Sequence, residues 1–92
     1  MSAVSEVLEM IASVEGSIGA YISYDGFVGG LVSRSLKTLS ETKAILQNAT
    51  SESIREAEDK IKGLKEDLGS YISQAPEVAQ KIDEILNKLK KC

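Results

Sequence analysis

The chain has 92 residues, of which 11 are Lys or Arg, 14 are Asp or Glu, one is Cys and none is His, giving a net charge of −3. A chain of this length hides only about 60–65% of the surface its unfolded form exposes. One thiol without histidine excludes an internal disulfide and a Cys/His metal cluster as a remedy, and the acid excess lacks the positive charge that a phosphate backbone demands. No cofactor, metal or nucleic acid is expected, and self-association is left as the means of stabilisation.

Charge divides the chain. Residues 1–33 carry Glu6, Glu9, Glu15 and Asp25 and no basic side chain, whereas every Lys and Arg lies from Arg34 onward. The opening residues place Val4, Val7, Leu8, Ile11 and Val14 in one stripe opposite Ser5, Glu6 and Glu9, which predicts an amphipathic helix over 1–15, ended by Gly16. The start lacks a basic segment and has Glu6 and Glu9 within its apolar stretch, so no secretory signal is read there and a cytoplasmic location is expected.

Next comes "GSIGAYISYDGFVGG", residues 16–30, with five glycines and three aromatics. Two readings of the 16–33 segment fit. As helix, the five glycines cost about 4–5 kcal/mol relative to alanine, a loss that close backbone approach to a neighbour would offset. As a short β-hairpin over 18–32, Ile18, Ala20, Ile22 and Tyr24 alternate with smaller or polar residues. Asp25-Gly26 then supplies a two-residue turn, and Tyr24 faces Phe27. A lone two-stranded sheet is barely stable in water, so both readings end at a surface that needs a neighbour.

Further on, Leu31, Val32, Leu36, Leu39, Ile45 and Leu46 predict a second helix over 34–48. Thr50 or Ser51 reads as the N-cap of a third over 51–73. Its apolar stripe is Ile54, Ala57, Ile61, Leu64, Leu68 and Tyr71; the same heptad phase continues through Ala75, Val78, Ile82, Ile85, Leu89 and Cys92. Pro76 suits the first position of a fourth helix over 76–91, where its missing N–H is harmless. Glu56/Lys60, Glu58/Lys62, Glu77/Lys81 and Glu84/Lys88 sit four apart, and each such pair adds about 0.2–0.5 kcal/mol to a helix. Lys88, Lys90 and Lys91 read as the favourable end of that last helix. The expected fold is therefore mainly α: one small domain, 1–92, of amphipathic helices in a helical hairpin or bundle with heptad packing, with the β-hairpin at 18–32 as the alternative for the glycine-rich part.

The segment "LEMIASVEGSIGAYISYDGFVGG", about 8–30, resembles the opening helix and hairpin of roadblock-type domains. It shares an apolar helix, a glycine, a GA-containing strand and an Asp-Gly turn. That resemblance implies a dimeric regulatory adaptor for a small GTPase or scaffold. The remainder departs from it, since roadblock domains continue with strands where this chain continues with heptad helices.

No catalytic constellation stands out. Histidine is absent, there is no GxxxxGK[ST] loop and no GxGxxG fingerprint. Pairs such as Glu58-Asp59 and Asp83-Glu84 read as solvated helix faces. The Asn48-Ala49-Thr50 sequon is read as chance. The sequence thus predicts a non-enzymatic structural or interaction protein that assembles with copies of itself, as a closed oligomer, filament or coat. Its expected interface combines Gly19, Tyr21, Tyr24, Gly26, Phe27 and Gly30 with the heptad residues Ile61, Leu64, Leu68, Ile82, Ile85 and Leu89. Cys92 is either an exposed thiol or the site of an intermolecular disulfide. Glycines spaced among aromatics also suit a membrane-associating or pore-forming helical protein, although Glu15 and Asp25 make 11–33 a poor simple span.

Overall fold

A computed structural model describes residues 3–92, so Met1 and Ser2, the first two positions of the expected 1–15 helix, lie outside the described residues. Four helices follow in chain order: α1 (Ala3–Gly19), α2 (Leu31–Leu46), α3 (Ser51–Leu68) and α4 (Pro76–Lys90). Short 3₁₀ turns occupy Ile22–Tyr24 and Gly69–Gln74.

The buried positions explain the assembly. They are Val7, Ile11, Val14 and Ile18 on α1, Leu31, Val32, Ser35, Leu39, Thr42 and Leu46 on α2, Ser53, Ala57, Ile61, Leu64 and Leu68 on α3, and Val78, Ile82, Ile85 and Leu89 on α4. Steps of three and four recur on every helix, the spacing that keeps one seam facing a shallowly crossing neighbour. α1 packs on α2 and α4, and α3 packs on the same two helices, closing a four-membered ring around one core. Cross-helix bonds give the directions. Between α1 and α4, Lys88 meets Glu6 at 2.6 Å and Lys81 meets Ser13 at 2.9 Å, so numbers rise on one helix as they fall on the other. Between α2 and α3, Arg34 pairs with Asp67 at 3.2 Å and Lys60 with Glu41 at 3.6 Å, again antiparallel. The radius of gyration, 12.6 Å, matches the about 12 Å of a compact domain of this length. The heptad stripes are thus buried against one another within a single copy.

The helix boundaries have local causes. Thr50 caps α3 through a reciprocal box: its hydroxyl accepts from the Ser53 N–H at 3.1 Å while the Thr50 N–H donates to Ser53 Oγ at 2.7 Å. α3 stops at Gly69, whose φ of 50° and ψ of −128° suit a residue without Cβ. Pro76 opens α4 as its first residue. The expected third helix over 51–73 is accordingly shorter, and Tyr71, placed on the stripe by spacing, lies in the 3₁₀ turn and is exposed.

Three other expectations are corrected. α1 runs through Gly16 to Gly19, because Val14 and Ile18 extend the 4-3-4 seam and a buried side chain each turn outweighs a weak helix former. α2 starts at Leu31 and ends at Leu46 instead of covering 34–48, and two of its seam positions, Ser35 and Thr42, are polar. The β-hairpin at 18–32 is absent, with no strand among the described residues. Backbone N–H groups of Tyr21, Tyr24, Asp25, Phe27 and Val28 each bond the carbonyl three residues earlier, at 2.9–3.3 Å. Such consecutive turns leave no groups for a cross-strand ladder. The Asp25-Gly26 turn itself is present, closed by Phe27 N–H on the Tyr24 carbonyl at 2.9 Å. The strand pair on which the likeness to roadblock domains rested is therefore missing.

The charge division also acquires a structural counterpart. α1, which carries acids only, sits between lysines of its two neighbours: Glu15 meets Lys43 of α2 at 2.5 Å, and Glu6 meets Lys88 of α4 at 2.6 Å. Several lysines expected to bond along their own helix bridge helices instead: Lys60 goes to Glu41, Lys81 to Ser13 and Lys88 to Glu6. The Glu58–Lys62 pair forms as expected, at 3.6 Å. Exposed pairs of this kind contribute at most about 1 kcal/mol each, so their effect is on which helices become neighbours. The Glu6 carboxyl is held below the usual range by the hydrogen bond and charge of Lys88, and Lys88 is raised by the same partner.

Candidate functional site

An up-down-up-down ring brings the α1–α2 loop (20–30) and the α3–α4 loop (69–75) to one end of the bundle, and the exposed apolar side chains gather there. Tyr21, Ile22, Tyr24, Phe27 and Tyr71 are all exposed, Phe27 to 88%. Tyr21 and Tyr24 pair with ring centroids 6.5 Å apart. Between the two loops opens a cavity of about 120 Å³. Its floor is Ile18, Leu31, Val32, Leu68 and Val78, the last layer of the core, and its walls include Tyr21, Tyr24, Val28, Tyr71, Ile72 and Ala75. Gln74 is the only amide side chain on the lining.

The two loops themselves carry little charge. Across 20–30 and 69–76 the sequence holds one ionisable carboxylate, Asp25, and no Lys or Arg. That carboxylate is turned inward: its Oδ1 accepts the N–H groups of Val32 (3.0 Å) and Ser33 (3.2 Å), and its Oδ2 accepts the Ser33 hydroxyl. Asp25 thereby satisfies the first turn of α2, whose own N-cap, Gly30, has no side chain to offer. The Ser33 hydroxyl, with the Ser33 and Val32 N–H groups and nearby Arg34, holds the Asp25 carboxyl below its usual range. Arg34 fixes the loop from the other side, donating to the Gly29 carbonyl at 2.5 Å and gripping Asp67 of α3 with Nε and Nη2 at 3.2 and 3.3 Å. The aromatic loop is a braced structure.

The residues expected to form an interface separate into two groups. Tyr21, Tyr24, Gly26, Phe27 and Gly30 lie together in the apolar-end loop, with Gly19 at the end of α1 that leads into it. Ile61, Leu64, Leu68, Ile82, Ile85 and Leu89 lie in the chain's own core, none more than 8% exposed. Expected to face a second copy, they pack here against the rest of the same chain. The glycines do not mark close approach within the molecule, since a Cβ built on Gly16, Gly19, Gly26 or Gly29 would meet nothing within 4 Å. Gly30 has a different reason, a φ of 79° that side chains resist. Sequence spacing did not signal Tyr71, Ile72 and Ala75 as part of this end, because they reach it from a loop some fifty residues away in the chain. Cys92 is exposed near the opposite end, with Sγ 3.2 Å from the Lys88 carbonyl. Among the described residues no group of His, Cys, Asp or Glu could hold a metal ion, and no helix is long and apolar enough to cross a membrane.

No protein-family model, curated protein or solved structure matches this chain.

Proposed function

We propose that the protein is a non-enzymatic interaction module that self-associates through its apolar end. One observation carries this reading: the exposed large apolar side chains, Tyr21, Ile22, Tyr24, Phe27 and Tyr71, concentrate on the loops beside an open cavity, while the helix seams are already filled. Clustered exposed apolar surface of this kind marks interaction sites, and tyrosine and phenylalanine are the residues that interface cores favour. The Asp25 carboxylate at this end is bonded within its own chain, to the Val32 and Ser33 N–H groups.

This reading replaces association along the heptad stripes and favours a closed pair over a filament. A single self-complementary patch is used up when two copies meet, whereas a filament requires a second, different patch. Sedimentation velocity over a concentration series tests it. Mass should rise from 9.9 kDa toward twice that value, and the double substitution Ile22→Ser with Tyr71→Ser should hold the chain monomeric without unfolding it. A wild-type chain that stays monomeric into the millimolar range, or a double variant that pairs as the wild type does, overturns the reading.

A further inference from the structure

Resting on the self-association reading, we propose that Phe27 of one copy plugs the apolar cavity of a second copy, and that the exchange is reciprocal about a two-fold axis. Phe27 stands between Tyr24 and Val28, which both line the cavity, yet its own ring is outside and 88% exposed. The molecule thus presents an exposed aromatic ring and an apolar hole on the same end of the bundle. The sizes agree: the hole measures about 120 Å³, close to the about 150 Å³ of an apolar cavity that accepts one benzene ring. Such a hole suits a single aromatic side chain and is short for an acyl tail. A patch carrying both plug and socket is self-complementary under two-fold rotation.

The remaining chemistry favours a second copy over a lipid surface. Segments that settle on membranes combine apolar side chains with Lys or Arg; neither loop at this end has a basic residue, and Arg34, which reaches the aromatic loop, is engaged by the Gly29 carbonyl and Asp67. The contact is small. The bundle is 20 Å by 20 Å in cross-section, about 400 Å² per copy against the about 800 Å² per partner of a standard stable interface. Pairing is therefore weak and concentration-dependent, and it relies on the plug.

Complementation between two variants tests this directly. Phe27→Ala leaves the socket open and removes the plug; Ala75→Phe fills the socket and keeps the plug. Val28→Leu serves as a second filling variant if Ala75→Phe lowers the melting temperature. Each variant alone should weaken pairing by at least about tenfold in the dissociation constant, while circular dichroism stays that of the wild type. Mixed together, the two should pair more tightly than either does alone, because one plug and one socket are again available. Phe27→Ala pairing as tightly as the wild type overturns the plug but leaves association through the end intact. A wild type that never pairs removes both. Recruitment to phosphatidylcholine vesicles that is lost in Phe27→Ala, without pairing in solution, also overturns the proposal and assigns the ring to lipid.

Discussion

Ser35 is completely buried on the α2 seam, and its hydroxyl has no hydrogen-bond partner among the described residues. An unmade bond of this kind costs about 1–3 kcal/mol, so Ser35→Ala should raise stability by about 1 kcal/mol in chemical denaturation. A loss of stability would show that the hydroxyl is satisfied in solution. Thr42, the other polar seam residue, avoids the problem by donating to the Thr38 carbonyl at 2.7 Å. The glycines separate in the same physical terms. Gly30 sits at a φ of 79°, where a side chain costs about 1–2 kcal/mol, while Gly26 has an ordinary φ and open space around it. Gly30→Ala should lower the denaturation midpoint measurably and Gly26→Ala should leave it within about 0.5 kcal/mol of wild type. Equal effects would contradict this account of the loop. These distinctions were illegible in the sequence, which shows five glycines in fifteen positions but not which backbone angles each adopts.

At the scale of elements, the junction between the aromatic loop and α2 depends on one carboxylate. Asp25 is held below its usual range by the Ser33 hydroxyl and the N–H groups it accepts. A depressed carboxyl contributes stability above its unfolded value, near 4, and that contribution disappears as pH falls through the lower folded value. Protection of the Val32 and Ser33 amides, measured against their intrinsic exchange rates, should therefore fall on acidification before the bundle melts, and Asp25→Asn should show the lower protection already at neutral pH. Exchange at these amides that is independent of pH, once intrinsic rates are allowed for, would remove the role assigned to Asp25. What was readable at this scale was whatever depends on neighbours in sequence: the Thr50 cap, the start at Pro76, the stripes of α3 and α4 and the Asp25-Gly26 turn. What was not readable depends on contacts distant in the chain. The packing of Ile18 carries α1 across Gly16, and buried Ser35 and Thr42 hide the seam of α2, so that Leu36 and Ile45 looked central although both are only half-buried. The same limit explains the hairpin, where local alternation was real but the carboxylate of Asp25 is bonded to the helix ahead of it.

For the molecule as a whole, the decisive fact is where apolar surface remains once the four seams have closed. Stability of a chain of this length is about 5–14 kcal/mol, and truncating one fully buried seam residue such as Ile61 or Leu39 removes about 2–5 kcal/mol of it. The helices therefore have no apolar seam to spare for a partner, and what is left over stands on the two loops at one end. Amide NMR of the wild-type chain over a dilution series measures this most directly. Shift changes with concentration should cluster at residues 20–32 and 69–78 and leave 50–58 and 88–92 unmoved. Shifts that move instead along the outer faces of α3 and α4, or at the Cys92 end, would contradict it.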